Sequence, residues 1–237
     1  MYNIDRLFEA VSEKGHVCVG LDTAAEYIPP AERQRAVSDS EAVLAFNRAI
    51  IDSTFDIAAC YKVQIAYYEE AGLAGLSVYA QTLQYIRAKG GLAIADIKRG
   101  DIADTATRYA KAHFEGEFEA DFVTLSPYMG MDSVEPWLAY AKDKGKGAFV
   151  LMRTSNKGMR DFEYLELKQH GGCSSGAYRL YHAVGNKLTE LAAAHSGQYG
   201  YGVFGAVVGC TEREEAAEIR KNYPRLFFLI PRFQYGT

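Results

Sequence analysis

Two hydrophobic patterns alternate along this chain. Short apolar runs rich in β-branched residues predict strands, and longer stretches with apolar residues every three or four positions predict amphipathic helices. The predicted strands are residues 16–21, 58–63, 92–98, 122–125, 148–152, 203–208 and 226–230. The predicted helices are residues 1–15, 41–53, 75–88, 102–114, 133–142, 177–195 and 212–222. Strands that alternate with helices indicate right-handed βαβ units and a parallel sheet, and therefore an α/β fold.

Most of the predicted strands end in a polar residue or in proline. These ends are Asp22, Lys62, Asp96 with Lys98, Ser126, Arg153 and Pro231. Because the carboxyl ends of the strands carry the active site in a (β/α)8 barrel, this distribution favours a TIM barrel over a doubly wound open sheet. An open sheet also binds its ligand at strand ends, so the periodicity by itself leaves both folds open.

The length and composition fit one folded domain. The chain has 237 residues, of which 49% are hydrophobic and 24% charged, so it contains enough apolar residues for a sizeable core. It has six prolines and no linker-like stretch, and we expect a single domain over residues 1–237. This length is slightly below the roughly 250 residues of a typical eightfold barrel.

Charge and residue types exclude several classes of function. The chain has 26 basic and 30 acidic residues, and a formal net charge of −4 argues against a nucleic-acid-binding surface. No apolar run approaches the roughly 18–20 residues that span a bilayer, and the first residues do not resemble an export signal. The five histidines lack metal-ligand spacing and the four cysteines form no C-x-x-C pair, so no metal site is predicted. Unpaired thiols are typical of a reducing compartment, and we expect a cytoplasmic protein.

The densest cluster of ionisable residues is the run ADIKRGDI at residues 95–102. Side chains alternate along a strand, so Asp96 and Lys98 should share one face, with Asp101 following at the junction with the next helix. A buried Asp and Lys are costly unless they are paired and hydrogen-bonded, which makes the run a candidate functional site. The same residues could instead form a structural ion pair and a helix cap. Lys62 and Asp22 are further candidates, although a surface lysine and a turn cap would look the same.

Two glycine motifs stand in the wrong context for function. Residues 200–205 match G-x-G-x-x-G, but they precede a predicted strand, whereas a dinucleotide-binding motif follows one. Residues 172–176 match G-x-S-x-G, but no predicted strand leads into them, as a nucleophile elbow requires.

One motif carries a resemblance to a known family. The pattern D-x-K-x-x-D-I-x-x-T, formed here by Asp96, Lys98, Asp101, Ile102 and Thr105, resembles the signature of the orotidine 5′-phosphate decarboxylase family. The surrounding segments resemble its type 2 bacterial subfamily: VGLD at 19–22, KVQIA at 62–66, ADIKRGDI at 95–102, PYMGMDS at 127–133, RTSN at 153–156 and FFLIP at 227–231. The resemblance covers residues 17–231, which is nearly the whole chain.

The resemblance implies a (β/α)8 barrel that works as a homodimer without a metal or an organic cofactor. Its reaction would be the decarboxylation of orotidine 5′-monophosphate to uridine 5′-monophosphate, the last step of de novo pyrimidine synthesis. The residues that match the family's catalytic array are Lys62, Asp96, Lys98 and Asp101. The Lys98 ammonium would stabilise the carbanion that forms at C6 and then protonate it.

The resemblance also implies a set of substrate-binding residues, which are Asp22, Ile102, Thr105, Ser126, Pro127, Arg153 and Gln234. Asp22 would hold the ribose hydroxyls together with Lys62, and Ser126 would lie near the pyrimidine. Ile102 and Thr105, with Asp101, would reach into the site of the neighbouring subunit.

The pattern of family motifs breaks after Pro231. The family continues with a glycine-rich phosphate loop of the kind P-G-x-G-A-Q-G, whereas this chain continues RFQYGT. Either Gln234 or Gly236 could stand at the position of the glutamine of that loop, because the alignment after Pro231 is open. No arginine here matches the one on the family's eighth strand. We therefore expect a barrel that lacks the eighth βα unit at its C-terminus, with strongly impaired activity on the phosphorylated substrate.

Two other functions stay open at this point. A Mg²⁺-dependent phosphate-sugar decarboxylase or aldolase of the same superfamily would share the third strand, although the RTSN segment and the spacing of Ile102 and Thr105 argue against it. A non-catalytic barrel could bind a nucleotide through the part of the site that is retained.

Overall fold

A computed structural model describes residues 1–167 and 178–231. Its strands are β1 Cys18–Gly20, β2 Cys60–Gln64, β3 Ala93–Arg99, β4 Phe122–Leu125, β5 Gly147–Arg153, β6 Phe204–Val208 and β7 Phe228–Leu229. Its helices are α1 Asn3–Lys14, α2 Pro30–Arg33, α3 Asp39–Thr54, α4 Ala66–Glu69, α5 Gly72–Ala88, α6 Ala103–Phe114, α7 Glu135–Lys144, α8 Met159–Phe162, α9 Leu180–Ala194 and α10 Arg213–Asn222. Two short 3₁₀ turns lie at Ala25–Tyr27 and Met131–Ser133.

The seven strands form one parallel sheet in chain order. Each strand pairs with the next, and helices connect them, as in a (β/α)8 TIM barrel. All seven predicted strands are present in the structure. The first and last are shorter than predicted because, within the described residues, β1 and β7 each pair with a single neighbour, so fewer ladder hydrogen bonds extend them.

The barrel interior changes from apolar to polar along the strands. Partner residues of parallel strands face the same side of the sheet, so the register places Lys62, Ile94 and Phe122 on one interior level. Asp96 and Thr124 lie two residues further along the same faces of β3 and β4. The carboxyl ends of these strands therefore place Asp96 and Thr124 one level above Ile94 and Phe122, and Lys62 is the charged residue of that lower level.

The sheet is open between its first and last strands. Within the described part of the chain β7 does not pair with β1, and a cavity of about 980 Å³ lies between them, lined in part by His16, Cys18, Phe227 and Leu229. The described residues thus supply seven barrel strands. Among them, no helix combines the length and the apolar character that crossing a bilayer requires.

Candidate active site

Four charged side chains meet at the carboxyl ends of β1, β2 and β3. Lys62 Nζ lies 2.7 Å from Asp22 Oδ1 and 3.2 Å from Asp96 Oδ2, and Lys98 Nζ lies 2.6 Å from Asp96 Oδ1. Asp96 is buried, whereas the side chain of Lys98 is 48% exposed. We call Asp22, Lys62, Asp96 and Lys98 the charged array. Its formal charges cancel, and Lys98 is the more exposed of its two lysines, at 48% against 15% for Lys62.

The Asp96 carboxylate is saturated with donors. Besides the two lysines, Gln64 Nε2 donates to Oδ2 at 2.8 Å and Thr124 Oγ1 donates to Oδ1 at 2.8 Å. A carboxylate offers about four lone-pair sites, and each oxygen of Asp96 here receives two donors. The carboxylate is therefore held in one orientation, as a charged group must be when it is buried.

Burial and ion pairing act against each other in the array. Burial alone would raise the pKa of the Asp96 carboxyl, but Lys62 and Lys98, with the hydrogen bond from Thr124, outweigh it and lower that pKa. Burial alone would lower the pKa of Lys62, but Asp96 and Asp22 outweigh it and raise that pKa. Asp96 and Lys62 are therefore both ionised at neutral pH.

Strand β3 is irregular around Lys98. The pairing with β4 runs from Ala95–Val123 directly to Arg99–Leu125, so three residues of β3 face the single residue Thr124. Lys98 has φ 47°, in the left-handed region that residues with a side chain rarely adopt. The structure brings Asp96 and Lys98 together, but through this bulge and not through the regular alternation from which their proximity was predicted.

Asp101, Ile102 and Thr105 lie on the loop after β3 and on the first turn of α6. The Asp101 carboxylate accepts a hydrogen bond from the Ile102 amide at 2.8 Å and forms no ion pair within the described residues. Ile102 is 60% exposed and Thr105 is half-buried. In this single chain the three residues therefore follow the charged array closely in sequence, and Asp101 forms no ion pair with its lysines among the described residues.

Ser126 and Pro127 follow β4 at the same end of the barrel. The Ser126 amide donates to the Arg99 carbonyl at 2.8 Å, and the Pro127 carbonyl accepts from the Gly130 amide at 2.9 Å. A side chain at Gly100 would meet the Ser126 carbonyl at 2.9 Å, so glycine is needed for the β3 loop to approach this residue. Ser126 therefore lies beside the loop that leads from Lys98 to Asp101.

Arg153 lies at the end of β5 in a second charged cluster, which is closed. Its side chain is 0% exposed, and its guanidinium contacts Glu215 Oε2 at 2.6 Å, the Gly209 carbonyl at 2.8 Å and Thr211 Oγ1 at 2.7 Å. Tyr164 OH lies 3.1 Å from Nη2. We call Arg153 and Glu215, with the residues that contact them, the arginine cluster. The structure does not bring Arg153 into contact with the charged array.

Two site-lining residues were not predicted from the sequence. Gln64 follows Lys62 by two positions on the same face of β2, and Thr124 is the single polar residue of the buried strand FVTL, which is the signal that marks it. The predicted site residue Gln234 and the motif at 172–176 lie outside the described residues. Among the described residues, no group of three or more His, Cys, Asp and Glu side chains could hold a metal ion.

Comparisons with known proteins agree on one family. The sequence model of the orotidine 5′-phosphate decarboxylase / HUMPS family matches residues 15–235. The orotidine 5′-phosphate decarboxylase of Clostridium kluyveri is 54% identical over 236 residues, which cover 99% of this chain and 79% of that protein. The enzyme of the same name from Clostridium novyi is 54% identical over 230 residues, covering 97% and 78%.

Solved structures give the same result. The OMP decarboxylase of Leishmania donovani superposes with a TM-score of 0.76 at 32% identity, covering 98% of this chain and 80% of that chain. The UMP synthase of the same organism superposes with a TM-score of 0.78 at 32% identity, covering 99% and 46%. The chain belongs to the orotidine 5′-phosphate decarboxylase / HUMPS family.

Proposed function

We propose that this chain removes CO2 from orotidine 5′-monophosphate to give uridine 5′-monophosphate, without a metal or an organic cofactor. The observation that carries the proposal is the pair of ion pairs in which Lys62 and Lys98 both contact Asp96. Asp96 is buried in the barrel, and Lys98 is the exposed member of the three. This arrangement is suited to a reaction in which negative charge develops on a substrate atom beside a fixed ammonium.

Lys98 is the proposed acid. When the bond between C6 and the carboxyl group breaks, its electron pair stays on C6 and CO2 leaves. The Lys98 ammonium stabilises this carbanion and then transfers a proton to it, and solvent restores the proton on the amine. The carboxylate of Asp96, 2.6 Å from Nζ, keeps the ammonium directed at one place. Asp96 also lies where the substrate carboxylate would be repelled, and that repulsion disappears as CO2 leaves.

Most of the remaining predicted residues have binding roles in this proposal, and Arg153 has a structural one. Asp22 and Lys62, which contact each other, hold the ribose hydroxyls. Ser126 and Pro127 line the pyrimidine side of the mouth. Arg153 supports the site without contacting the substrate. Its buried guanidinium donates to the Gly209 carbonyl and so links the ends of β5 and β6. Gln234 is the proposed contact for the phosphate.

The proposal includes a homodimer with shared sites. Asp101 lacks an ion-pair partner in the described chain, and Ile102, four residues after Lys98, is an exposed apolar residue. Both features are explained if Asp101, Ile102 and Thr105 enter the site of a second copy.

We also propose a cytoplasmic location, since Cys18, Cys60 and Cys210 are free thiols.

An assay of the purified chain tests the reaction. Incubation with orotidine 5′-monophosphate should release CO2 and uridine 5′-monophosphate in equal amounts, with the same rate in the presence of EDTA. A rate abolished by EDTA would favour the Mg²⁺-dependent decarboxylase. Calorimetric binding of uridine 5′-monophosphate without any turnover would favour a nucleotide-binding barrel. Comparison with uridine in the same titration measures how much of the binding comes from the phosphate.

Mixing two inactive variants tests the shared site. Lys98→Ala and Asp101→Ala should each be inactive, but a mixed dimer contains one site with both native residues. In a statistical mixture about a quarter of the sites are native, so about a quarter of the activity should return. Mixed samples that stay inactive after subunit exchange, confirmed by native mass spectrometry, would contradict the shared arrangement.

A further inference from the structure

Thr124 on β4 connects the two partners of the Lys98–Asp96 ion pair through one hydroxyl group. We propose that Thr124 is a positioning residue for the decarboxylation: its hydroxyl holds the left-handed turn of β3 that aims Lys98 at the reacting carbon. This inference rests on the proposed function, because it assigns to Thr124 an effect that is exerted through Lys98.

The hydroxyl of Thr124 is fully used and its polarity is determined. The amides of Ile97 and Lys98 each donate to Oγ1 at 2.9 Å, so they occupy both of its lone pairs. The single O–H must then donate elsewhere, and Asp96 Oδ1 lies 2.8 Å away. Thr124 is only 1% exposed, so water cannot readily take over any of these three bonds.

The bulge in β3 explains why a hydroxyl is required there. In a regular parallel ladder the amides of β3 would donate to main-chain carbonyls of β4. Three residues of β3 face Thr124 alone, and the side-chain oxygen stands in for the missing carbonyl for both Ile97 and Lys98. The φ of 47° at Lys98 is disfavoured for a residue with a Cβ atom, so it persists only where its surroundings hold it.

Loss of this oxygen should act on the chemical step more than on binding. Without it, the bulge can relax toward an ordinary strand, which moves the Lys98 side chain away from its present position against Asp96. An interaction that is made mainly with the developing carbanion affects kcat, whereas contacts to the ribose and phosphate, which set much of KM, are made elsewhere. A general loss of structure would instead change both constants together with the melting temperature.

Three substitutions at Thr124 form a graded series. Thr124→Val keeps the shape and removes the oxygen, and we expect kcat to fall about 100-fold, the cost of a misplacement of about 1 Å, with KM changed less than about threefold. Thr124→Ser restores the hydroxyl and should retain at least about a third of the native kcat. Thr124→Cys replaces it with a weak donor and acceptor and should fall between them, and it substitutes for the valine variant if that one does not fold.

A second measurement does not depend on activity. Trace acetylation with acetic anhydride, read by peptide mass spectrometry, gives the reactivity of Lys98 relative to the exposed Lys142. In Thr124→Val we expect Lys98 to lose its hydrogen bond to Asp96, so the labelling ratio of Lys98 to Lys142 should rise about fivefold, as the loss of roughly one hydrogen bond gives. In Thr124→Ser the ratio should stay near the native value.

The outcomes separate the two proposals. A native chain that releases no CO2 refutes the proposed function, and the labelling ratio then decides the role of Thr124. An active native chain together with a folded Thr124→Val variant whose kcat is within about twofold of native overturns the positioning role. The same conclusion follows if kcat falls while the Lys98 labelling ratio is unchanged, or if Thr124→Ser loses as much activity as Thr124→Val.

Discussion

The charged array and the arginine cluster use similar chemistry at the carboxyl ends of strands in the same sheet, with β4 between them, and only one of them is open. In the array, Lys98 contacts Asp96 at 2.6 Å and keeps 48% of its side chain exposed. In the cluster, Arg153 contacts Glu215 at the same distance of 2.6 Å and is 0% exposed. Distance and charge are therefore the same in the two ion pairs, and access to the barrel mouth is what differs.

This difference in exposure indicates which of the charged groups is available to a substrate. The guanidinium of Arg153 donates to the Gly209 carbonyl and to Thr211 as well as to Glu215, so its donors are directed into the protein. An ammonium has three donor hydrogens, and within residues 1–167 and 178–231 Lys98 Nζ contacts Asp96 alone, which leaves donors to meet a ligand. We therefore expect substitutions in the array to reduce activity first, and substitutions in the cluster to reduce stability first.

The largest expected effect is that of Lys98→Ala on turnover. The variant loses the charge that stabilises the carbanion and also the proton donor, and we expect kcat to fall by more than about 10⁴-fold. Because Lys98 is half exposed, the fold should be retained, with a native circular dichroism spectrum. Lys142→Ala, at an exposed lysine outside the site, is the matched control and should keep native activity. Near-native turnover of Lys98→Ala would refute the proposed chemistry.

Arg153→Met should show the opposite balance. It leaves the buried Glu215 carboxylate with Arg179, 3.2 Å away and one-third exposed, as its remaining cationic partner among the described residues. We therefore expect the free energy of unfolding to fall by about 3 kcal/mol, the lower end of the range for a broken buried ion pair. Denaturation in urea measures this loss, and the kcat of the remaining folded protein should change much less than in Lys98→Ala. Adding Glu215→Gln removes the buried charge that has lost Arg153 and should recover part of the stability. A stable but inactive Arg153→Met variant would place Arg153 with the array instead of the scaffold.

The sequence allowed the fold and the position of the array to be predicted because both follow from local patterns. Alternating strands and helices predict the parallel sheet, and polar residues at strand ends predict the barrel mouth. The exposed loop that carries Asp101 and Ile102 was predicted next to the array from its place in the chain. The motif around Asp96 and Lys98 supplied the family, which composition and periodicity do not specify.

Other features depend on contacts between distant segments. The bulge in β3 is visible only in its register against β4, so the sequence suggested simple alternation for Asp96 and Lys98. Arg153 ends its strand as a site residue would, but Glu215 of α10, which turns it inward, lies far away in the chain. Thr124 was visible as a polar residue in an apolar strand, although its partners were not.

Asp96→Asn should change the pH dependence of stability. The pKa of Asp96 is lowered in the folded chain, so its stabilising contribution is present above the unfolded pKa of about 4 and is lost as the pH falls through the lower folded value. We expect the variant to be about 2 kcal/mol less stable at pH 7, with the difference shrinking below pH 4. Urea denaturation between pH 2 and pH 7 measures both limbs. A difference that is constant with pH would mean that packing of the side chain, and not its charge, is what stabilises the fold.

Asp22→Asn should have the smallest effect on stability and tests where the array ends. The Asp22 carboxylate contacts Lys62 at 2.7 Å, but its side chain is 42% exposed, so solvent and salt screen the pair. Such an ion pair contributes at most about 1 kcal/mol, and we expect a correspondingly small fall in the free energy of unfolding.

The effect of Asp22→Asn on ligand binding should be larger, because the proposed role of Asp22 is to accept hydrogen bonds from the ribose hydroxyls. Calorimetry with uridine 5′-monophosphate and with its 2′-deoxy analogue separates these effects. If Asp22 contacts the sugar, the variant should lose most of the native preference for the ribose form. An unchanged preference would restrict the array to Lys62, Asp96 and Lys98 and leave Asp22 as a partner that only neutralises Lys62.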